Sequence, residues 1–368
     1  MSQEIRVSTP SRICLFGEHQ DYLGLEVIAC AIDLRFSARI RKTEGSLIRI
    51  RIRDSKIDTL GMENTQNLYE EYEIDIAKPI VYENKRDYLK SSVNVLLKNG
   101  YPLQGFDIVM DSEIPIGKGM CSSSTMIVAL VGAMLCAIGH PDAKDREKLA
   151  YLGFCAEVLE FNEPGGMMDH YASALGSLVN LDFEGGKTAV HPLDNHIEGC
   201  FILFDSLAQK NTTKVLADAK TPTLSALGKL GTDIKTLAAD GAAMPDLSGL
   251  EEKEKTALLA NVSNYKILQE AKRYFAEGKN DPSQLGALLS AHHENLRKLG
   301  VSTDKIDQII ETACQAGAYG GKVNGSGGGG CCYVYAAATD AEKIIGAVGK
   351  LGYPGKVLKQ DTGFRCEA

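Results

Sequence analysis

The sequence lacks a basic excess. Its 368 residues carry 40 Lys plus Arg against 48 Asp plus Glu, a net charge of −8. That balance offers no single-sign surface for a nucleic-acid backbone. A long apolar run is missing too. The longest, Met126 to Ile138, is too short to span a bilayer. The first residues, Met1 to Arg6, show no basic segment leading into an apolar one. A cytoplasmic protein without membrane or nucleic-acid partners is expected. The ten cysteines have no CxxC spacing and are scattered along a long chain, which argues for reduced thiols over a disulfide framework or zinc site. Cys331 and Cys332 fall in an apolar run and read as packing residues. No internal repeat is visible.

What is present is the ordinary mix of a folded chain, with 44% hydrophobic and 24% charged residues. The length predicts two domains at about 150 residues each. Early segments read as strands: Ile13–Phe16, Val27–Ile32, then Ile48, Ile50 and Ile52 alternating with Arg49, Arg51 and Arg53. Period two separates an isoleucine face from an arginine face. The arginine row reads as a solvated sheet face, the alternative being a surface for polyanions. Asp87–Lys98 has a helical stripe, and Phe106–Met110 is a strand.

Met120–Ile138 is a nearly continuous apolar stretch opened by serines able to cap a helix, so a buried helix is predicted there. A helix is expected over Arg146–Phe161, broken by Pro164-Gly165-Gly166, then another over Met167–Leu175. Strands Ser177–Leu181 and Cys200–Asp205 follow. Thr213–Leu299 is mostly helical, with a loop at Asp240–Leu250. The end holds a helix at Ile306–Ala316, a glycine cluster at Gly320–Gly330, a strand at Cys331–Ala337, a helix from Asp340 and a strand near Phe364–Cys366. The order fits an α+β fold of two halves dividing near residues 185–190.

Pro115-Ile-Gly-Lys-Gly-Met-Cys-Ser-Ser-Ser124 carries the most information. Gly117 and Gly119 permit a tight turn whose N–H groups, with the helix N-terminus behind them, form a phosphate cradle. It is not the GxxxxGK[ST] pattern, and alone it equally describes a helix cap. Pro10 to Gly24 reads as a strand and a turn that concentrates Glu18, His19 and Asp21, a set suited to sugar hydroxyls. A metal cluster and a solvated turn remain alternatives for it. Lys322-Val-Asn-Gly-Ser-Gly-Gly-Gly-Gly330, bounded by apolar structure, reads as close backbone approach to a ligand.

Together, in this order, these segments resemble the signature motifs of the GHMP kinase superfamily, over the whole chain. The usual PxGxGLxSS appears as Pro115-Ile-Gly-Lys-Gly-Met-Cys-Ser-Ser123. The first motif is most similar to galactokinase, PGRxNxIGEHxDYxxG, met by Pro10, Arg12, Gly17, Glu18, His19, Asp21, Tyr22 and Gly24. Ala156-Glu157 through Gly166-Met-Met-Asp169 resembles AEN…GIMDQ, with His170 in the glutamine place, and Thr362-Gly-Phe-Arg365 resembles the galactokinase end.

The resemblance implies a two-domain GHMP kinase fold, residues 1–187 and 188–368, with the active site in the cleft between them. It implies ATP and Mg²⁺ as cofactors. Asp169 would be the catalytic carboxylate and Arg12 its partner. Glu18, His19, Asp21 and Gly166 would bind the sugar. Pro115, Gly117, Lys118, Gly119, Met120, Cys121, Ser122, Ser123 and Ser124 would bind ATP, and Ser122, Ser123 and Glu157 would hold the metal. The implied reaction is phosphorylation of a hydroxyl, the anomeric one, of galactose or a related monosaccharide. A mevalonate-like or heptose-type kinase, and a sugar- or ATP-binding sensor without turnover, are the alternatives. The presence of Arg12, Glu157 and Asp169 favours catalysis.

Overall fold

The computed structural model describes residues 3–53, 69–115, 117–163, 165–183, 188–193, 197–208 and 212–367. Ile116, Pro164 and the expected division at 187 lie outside these residues. An eight-stranded sheet is built from β1 (Ile5–Phe16), β2 (Val27–Lys42), β3 (Leu47–Arg53), β4 (Tyr69–Asp75), β5 (Phe106–Ser112), β6 (Leu178–Asp182), β7 (Ala189–Pro192) and β12 (Arg365–Glu367). Its main path runs β12-β1-β2-β5-β3-β4, with β6 on β2 and β7 on β6. A four-stranded antiparallel sheet, ordered β11-β8-β10-β9, comprises β8 (Cys200–Asp205), β9 (Gly320–Val323), β10 (Cys331–Ala336) and β11 (Gly355–Leu358).

The helices are α1 (Tyr88–Lys98), α2 (Ser122–Ile138), α3 (Arg146–Phe154), α4 (Met168–Leu175), α5 (Thr212–Leu230), α6 (Ile234–Ala238), α7 (Glu252–Ala276), α8 (Pro282–Lys298), α9 (Asp304–Gln315) and α10 (Ala341–Gly349). Apolar nearly all round, α2 has to be covered on every side. It packs on β1 and β2, with α1, α3 and α4 around it. Gly132 of α2 is where the Phe364 ring presses in, within 2.5 Å of where a Cβ would stand. The core is continuous between the sheets: Phe16, Leu268, Phe201 and Tyr333 belong to one buried cluster. Among the described residues no helix is long and apolar enough to cross a membrane.

The structure corrects several sequence expectations. α2 begins at Ser122 rather than Met120, and its N-cap residue, Cys121, makes no side-chain cap. The serines are spent elsewhere, as described below. The helix expected over Arg146–Phe161 gives way after Phe154 to a π turn, Cys155–Leu159. The glycine cluster begins as a strand: Gly320 lies so close to α8 that a Cβ would stand 2.0 Å from the Gly286 oxygen. The row Arg49, Arg51, Arg53 faces β4, which the sequence reading did not anticipate, and Arg49 and Arg51 sit opposite Glu73 and Glu71. Arg49 also pairs with Glu73 and Asp107 at 3.2 and 3.7 Å. All three arginines are exposed, as the solvated sheet face expected from the sequence requires, and the glutamates of β4 neutralise part of their charge across the strands. Cys331 and Cys332 are fully buried in β10.

Candidate active site

Between β5 and α2 the backbone reverses with Gly117 and Gly119 at φ 70° and 87° and Cys121 at φ 46°. A side chain in the left-handed region costs roughly 1–3 kcal/mol and is kept only where surroundings over-determine it. Cys121 is held from two sides, its Sγ 3.4 Å from Thr125 Oγ1 and 3.7 Å from Ser11 Oγ. This loop and the start of α2 open onto a cavity of about 410 Å³. Gly117, Gly119, Met120, Cys121, Ser122, Ser123 and Ser124 all line it; Pro115 and Lys118 do not. Lys118 Nζ instead reaches Asp205 Oδ2 of β8 at 3.1 Å.

Arg12 and Asp169, 157 positions apart, meet at the cavity. Arg12 Nε and Nη2 lie 2.8 and 2.7 Å from Asp169 Oδ1, and Nη1 donates to the Gly119 carbonyl at 3.2 Å. Burial works against the guanidinium's charge, but Asp169 and Glu18 outweigh it and hold Arg12 above its ordinary pKa. Both Arg12 contacts fall on one oxygen. Asp169 Oδ2 has no hydrogen-bond partner among the described residues, and the side chain is 28% exposed, so that oxygen can reach a substrate.

The turn after β1 brings Glu18, His19, Asp21 and Tyr22 to the same cavity. Glu18 is buried and accepts from Lys322 Nζ at 3.0 Å and the Gly325 amide at 2.9 Å. Burial would raise its carboxyl, but Lys322 and Arg12 keep it below the usual range. His19, at φ 62°, has its two nitrogens 2.9 Å from Tyr22 Oη and 3.2 Å from the Ser326 carbonyl oxygen. Its pKa is lowered, chiefly by burial, so the ring is neutral.

Asp21 differs. Burial, and then the charge of Asp169, push its carboxyl up to about 7. Between its ordinary 3.8 and about 7 the folded protein binds this proton more tightly than the unfolded chain. Stability from Asp21 is therefore complete at low pH and is lost as pH rises toward 7. Thermal melts should show Asp21→Asn gaining on the native protein steadily from pH 4 to 7 and running parallel above pH 8. Parallel curves throughout would mean that Asp21 ionises normally.

Gly166 lies directly under Asp21: a Cβ there would overlap the Asp21 carboxylate. Gly166→Ala must displace Asp21, and an error near 1 Å in a positioning group costs about 10²-fold. Steady-state kinetics should show kcat/KM for the small molecule seated at Asp21 falling by that order.

Glu157 is delivered by the π turn, whose wider Glu160 N–H to Cys155 C=O bond of 3.0 Å replaces the helical pattern. Such turns occur often at functional sites. Ser123 Oγ donates to Glu157 Oε1 at 2.5 Å and Ser124 Oγ to Oε2 at 2.6 Å. Burial works against the charge of Glu157, but His170 and these hydroxyls lower its pKa. The donor set of one carboxylate with the hydroxyls of Ser122 and Ser123 beside it is all oxygen. It suits Mg²⁺, which takes few protein ligands and keeps waters and phosphate oxygens. Among the described residues no group of three His, Cys, Asp or Glu could cage a metal alone.

The glycine-rich segment seals the site from the other side. Gly325 and Ser326 line the cavity. Asn324 Nδ2 donates to the Gly119 carbonyl at 3.0 Å, while its Oδ1 accepts from the Cys14 amide at 3.1 Å. A Cβ at Gly325 or Gly330 would stand 2.5 Å from the Gly119 or Lys118 oxygen. Much of the glycine content thus serves backbone packing against the loop that precedes α2. Tyr22, Lys322 and Asn324 fell inside the motifs quoted from the sequence without a role of their own, and Leu216 was not singled out. Only the flanking position of Lys322 and Asn324 to the glycines hinted at them.

Residues 87–177 match the GHMP kinases N terminal domain, residues 268–354 match GHMP kinases C terminal, and residues 2–42 match the galactokinase galactose-binding signature. Over 364 residues the chain is 28% identical to the mevalonate kinase of Pyrococcus horikoshii, covering 95% of both chains. Over 373 residues it is 29% identical to the galactokinase of Ligilactobacillus salivarius, covering 97% of this chain and 90% of that one. The solved structure of Lactococcus lactis galactokinase complexed with galactose has a TM-score of 0.79 at 23% identity, covering 99% of this chain and 95% of that one.

Proposed function

The chain belongs to the GHMP kinases and is a phosphotransferase, and from that premise we propose that it moves the γ-phosphoryl group of ATP to a hydroxyl, the anomeric one, of galactose or a related monosaccharide. The observation that carries this reading is the chemistry of the cavity. Glu18, His19, Asp21 and Asp169 gather there as acceptors and mixed donors. Both arginines that line it are already paired, Arg12 with Asp169 and Arg86 with Glu163 at 2.7 Å. Polyol hydroxyls suit such walls better than the carboxylate of mevalonate does. The galactose-binding signature over residues 2–42 supports the same choice.

In this reading residues 1–187 and 188–368 are the two units that meet at the cavity. Asp21, seated on Gly166, and the neutral His19 orient the sugar. Asp169 Oδ2 accepts the proton of the attacking hydroxyl, and Arg12, fixed on Oδ1, keeps that oxygen aimed at it. The amides at the start of α2, with Gly117 to Ser124, hold the phosphates. GHMP kinases use ATP, generally with Mg²⁺, and Glu157 with Ser123 and Ser122 would hold that ion, which supplies neutralising charge at the phosphate oxygens.

The mevalonate-type alternative draws on the identity to the Pyrococcus enzyme and on Leu216 of α5, an apolar residue lining the cavity. ADP release with Mg·ATP separates the readings. Galactose-dependent release is expected; release with mevalonate alone would install the alternative, and none with any acceptor would favour a sensor.

A further inference from the structure

We propose that His170 is a positioning residue that sets the orientation of Glu157 toward the divalent cation accompanying ATP. The inference rests on reading Glu157 as a metal ligand. His170 is 1% exposed, lines the cavity, and follows Asp169 on α4. Among the described residues neither of its ring nitrogens has an aligned hydrogen-bond partner. Nε2 nevertheless stands 2.8 Å from Glu157 Oε2, at a separation a hydrogen bond uses and off the line it needs.

The ring has little room to go anywhere else. Phe154 meets it edge to face with centroids 5.9 Å apart, and its Cδ2 is 3.2 Å from where a Cβ on Gly153 would stand. A buried donor left unmade next to a carboxylate is unusual, because burying a polar group without a partner is costly. The two Glu157 oxygens are also unequally used. Oε2 already takes the Ser124 hydroxyl and faces His170, whereas Oε1 takes only Ser123. Oε1 is the oxygen that would be left for a cation, and a slight rotation of the carboxylate would bring Oε2 into line with an Nε2–H. His170 and Ser124 then brace the far oxygen, leaving the near one for the metal, as a ligating carboxylate needs a partner to fix its orientation. Because His170 and Asp169 are neighbours, the start of α4 positions both the proton acceptor and the carboxylate across from it.

Mn²⁺ serves as the probe, its binding to the protein saturated with a non-hydrolysable ATP analogue read by electron paramagnetic resonance. His170→Phe, which fills the space without a nitrogen, should weaken Mn²⁺ binding about 10-fold or more, and His170→Gln, which retains a donor, should restore most of it. His170→Leu carries the same expectation as the phenylalanine variant should that one fail to fold. Native-like Mn²⁺ affinity in a folded Phe or Leu variant would overturn the proposal. Equal loss in the Gln and Phe variants would overturn it as well, because the ring would then matter only as filling. Glu157→Gln tests the underlying reading separately: if it too binds Mn²⁺ normally, Glu157 is no ligand and the metal site is elsewhere.

Discussion

Asp169→Asn is expected to lower the rate of phosphoryl transfer by about 10²–10⁴-fold, the range that a positioned proton acceptor contributes. The substitution keeps the shape of the side chain and an oxygen for Arg12, whose Nε and Nη2 lie 2.8 and 2.7 Å from the present Oδ1. What it removes is the second oxygen's ability to take a proton. The side chain is 28% exposed but its partner Arg12 is 3% exposed, so the variant also leaves a buried guanidinium without its carboxylate, and a loss of stability is expected beside the loss of rate. Single-turnover assays with Mg·ATP and galactose, alongside circular dichroism and nucleotide binding, check the outcome. A folded variant with native turnover would remove Asp169 from the chemical step. A variant that no longer binds ATP would give it a structural role instead.

Lys322→Met should cost about 3–5 kcal/mol of folding stability, the usual price of removing one member of a buried ion pair. Lys322 and Glu18 side chains are 0% and 3% exposed and 3.0 Å apart. Lys322 also donates to the Cys14 carbonyl at 2.8 Å and lies 5.4 Å over the Tyr333 ring. One residue of β9 thereby fastens the small sheet to the end of β1. Methionine fills the volume and leaves Glu18 with the Gly325 amide as its remaining hydrogen-bond donor among the described residues and Arg12 as the remaining cation near it. Chemical denaturation should show the drop, and adding Glu18→Gln should recover part of it, because the uncompensated charge is what is expensive. Additive losses in the double variant would mean that the pair contributes little as a pair.

How much of this was visible beforehand depended on whether a residue acts through local pattern or through distant partners. Arg12, Glu157 and Asp169 were picked out through the resemblance of their segments to family motifs, and the fold brings all three to one cavity. The isoleucines of β3 were legible because period two survives in any sheet. Its arginines were legible as an exposed row for the same reason, but their glutamate partners were not, since those lie on β4, a separate strand brought alongside only by the fold. The three serines suggested a cap, yet a carboxylate on a π turn more than thirty positions away claims two of them. Nothing local announces a π turn, because it differs from a helix by one residue in one hydrogen bond. Lys322 was least legible of all: a lysine beside glycines looks exposed until a glutamate some 300 positions away is folded onto it.

The seam between the phosphate loop and the glycine-rich segment also fixes when the protein can begin to work. Gly119 and Lys118 rest backbone to backbone on Gly325 and Gly330, and the Cys331 amide donates to the Lys118 carbonyl at 2.8 Å. A ribosome makes the first pair of residues some 200 positions before the second. Throughout that interval the emerging chain carries the loop before α2 while its opposing surface has not yet been synthesised. The loop thus gains its backing only once Gly325 to Gly330 have been made, and a chain truncated before β9 keeps the sequence of the loop without the support that shapes it.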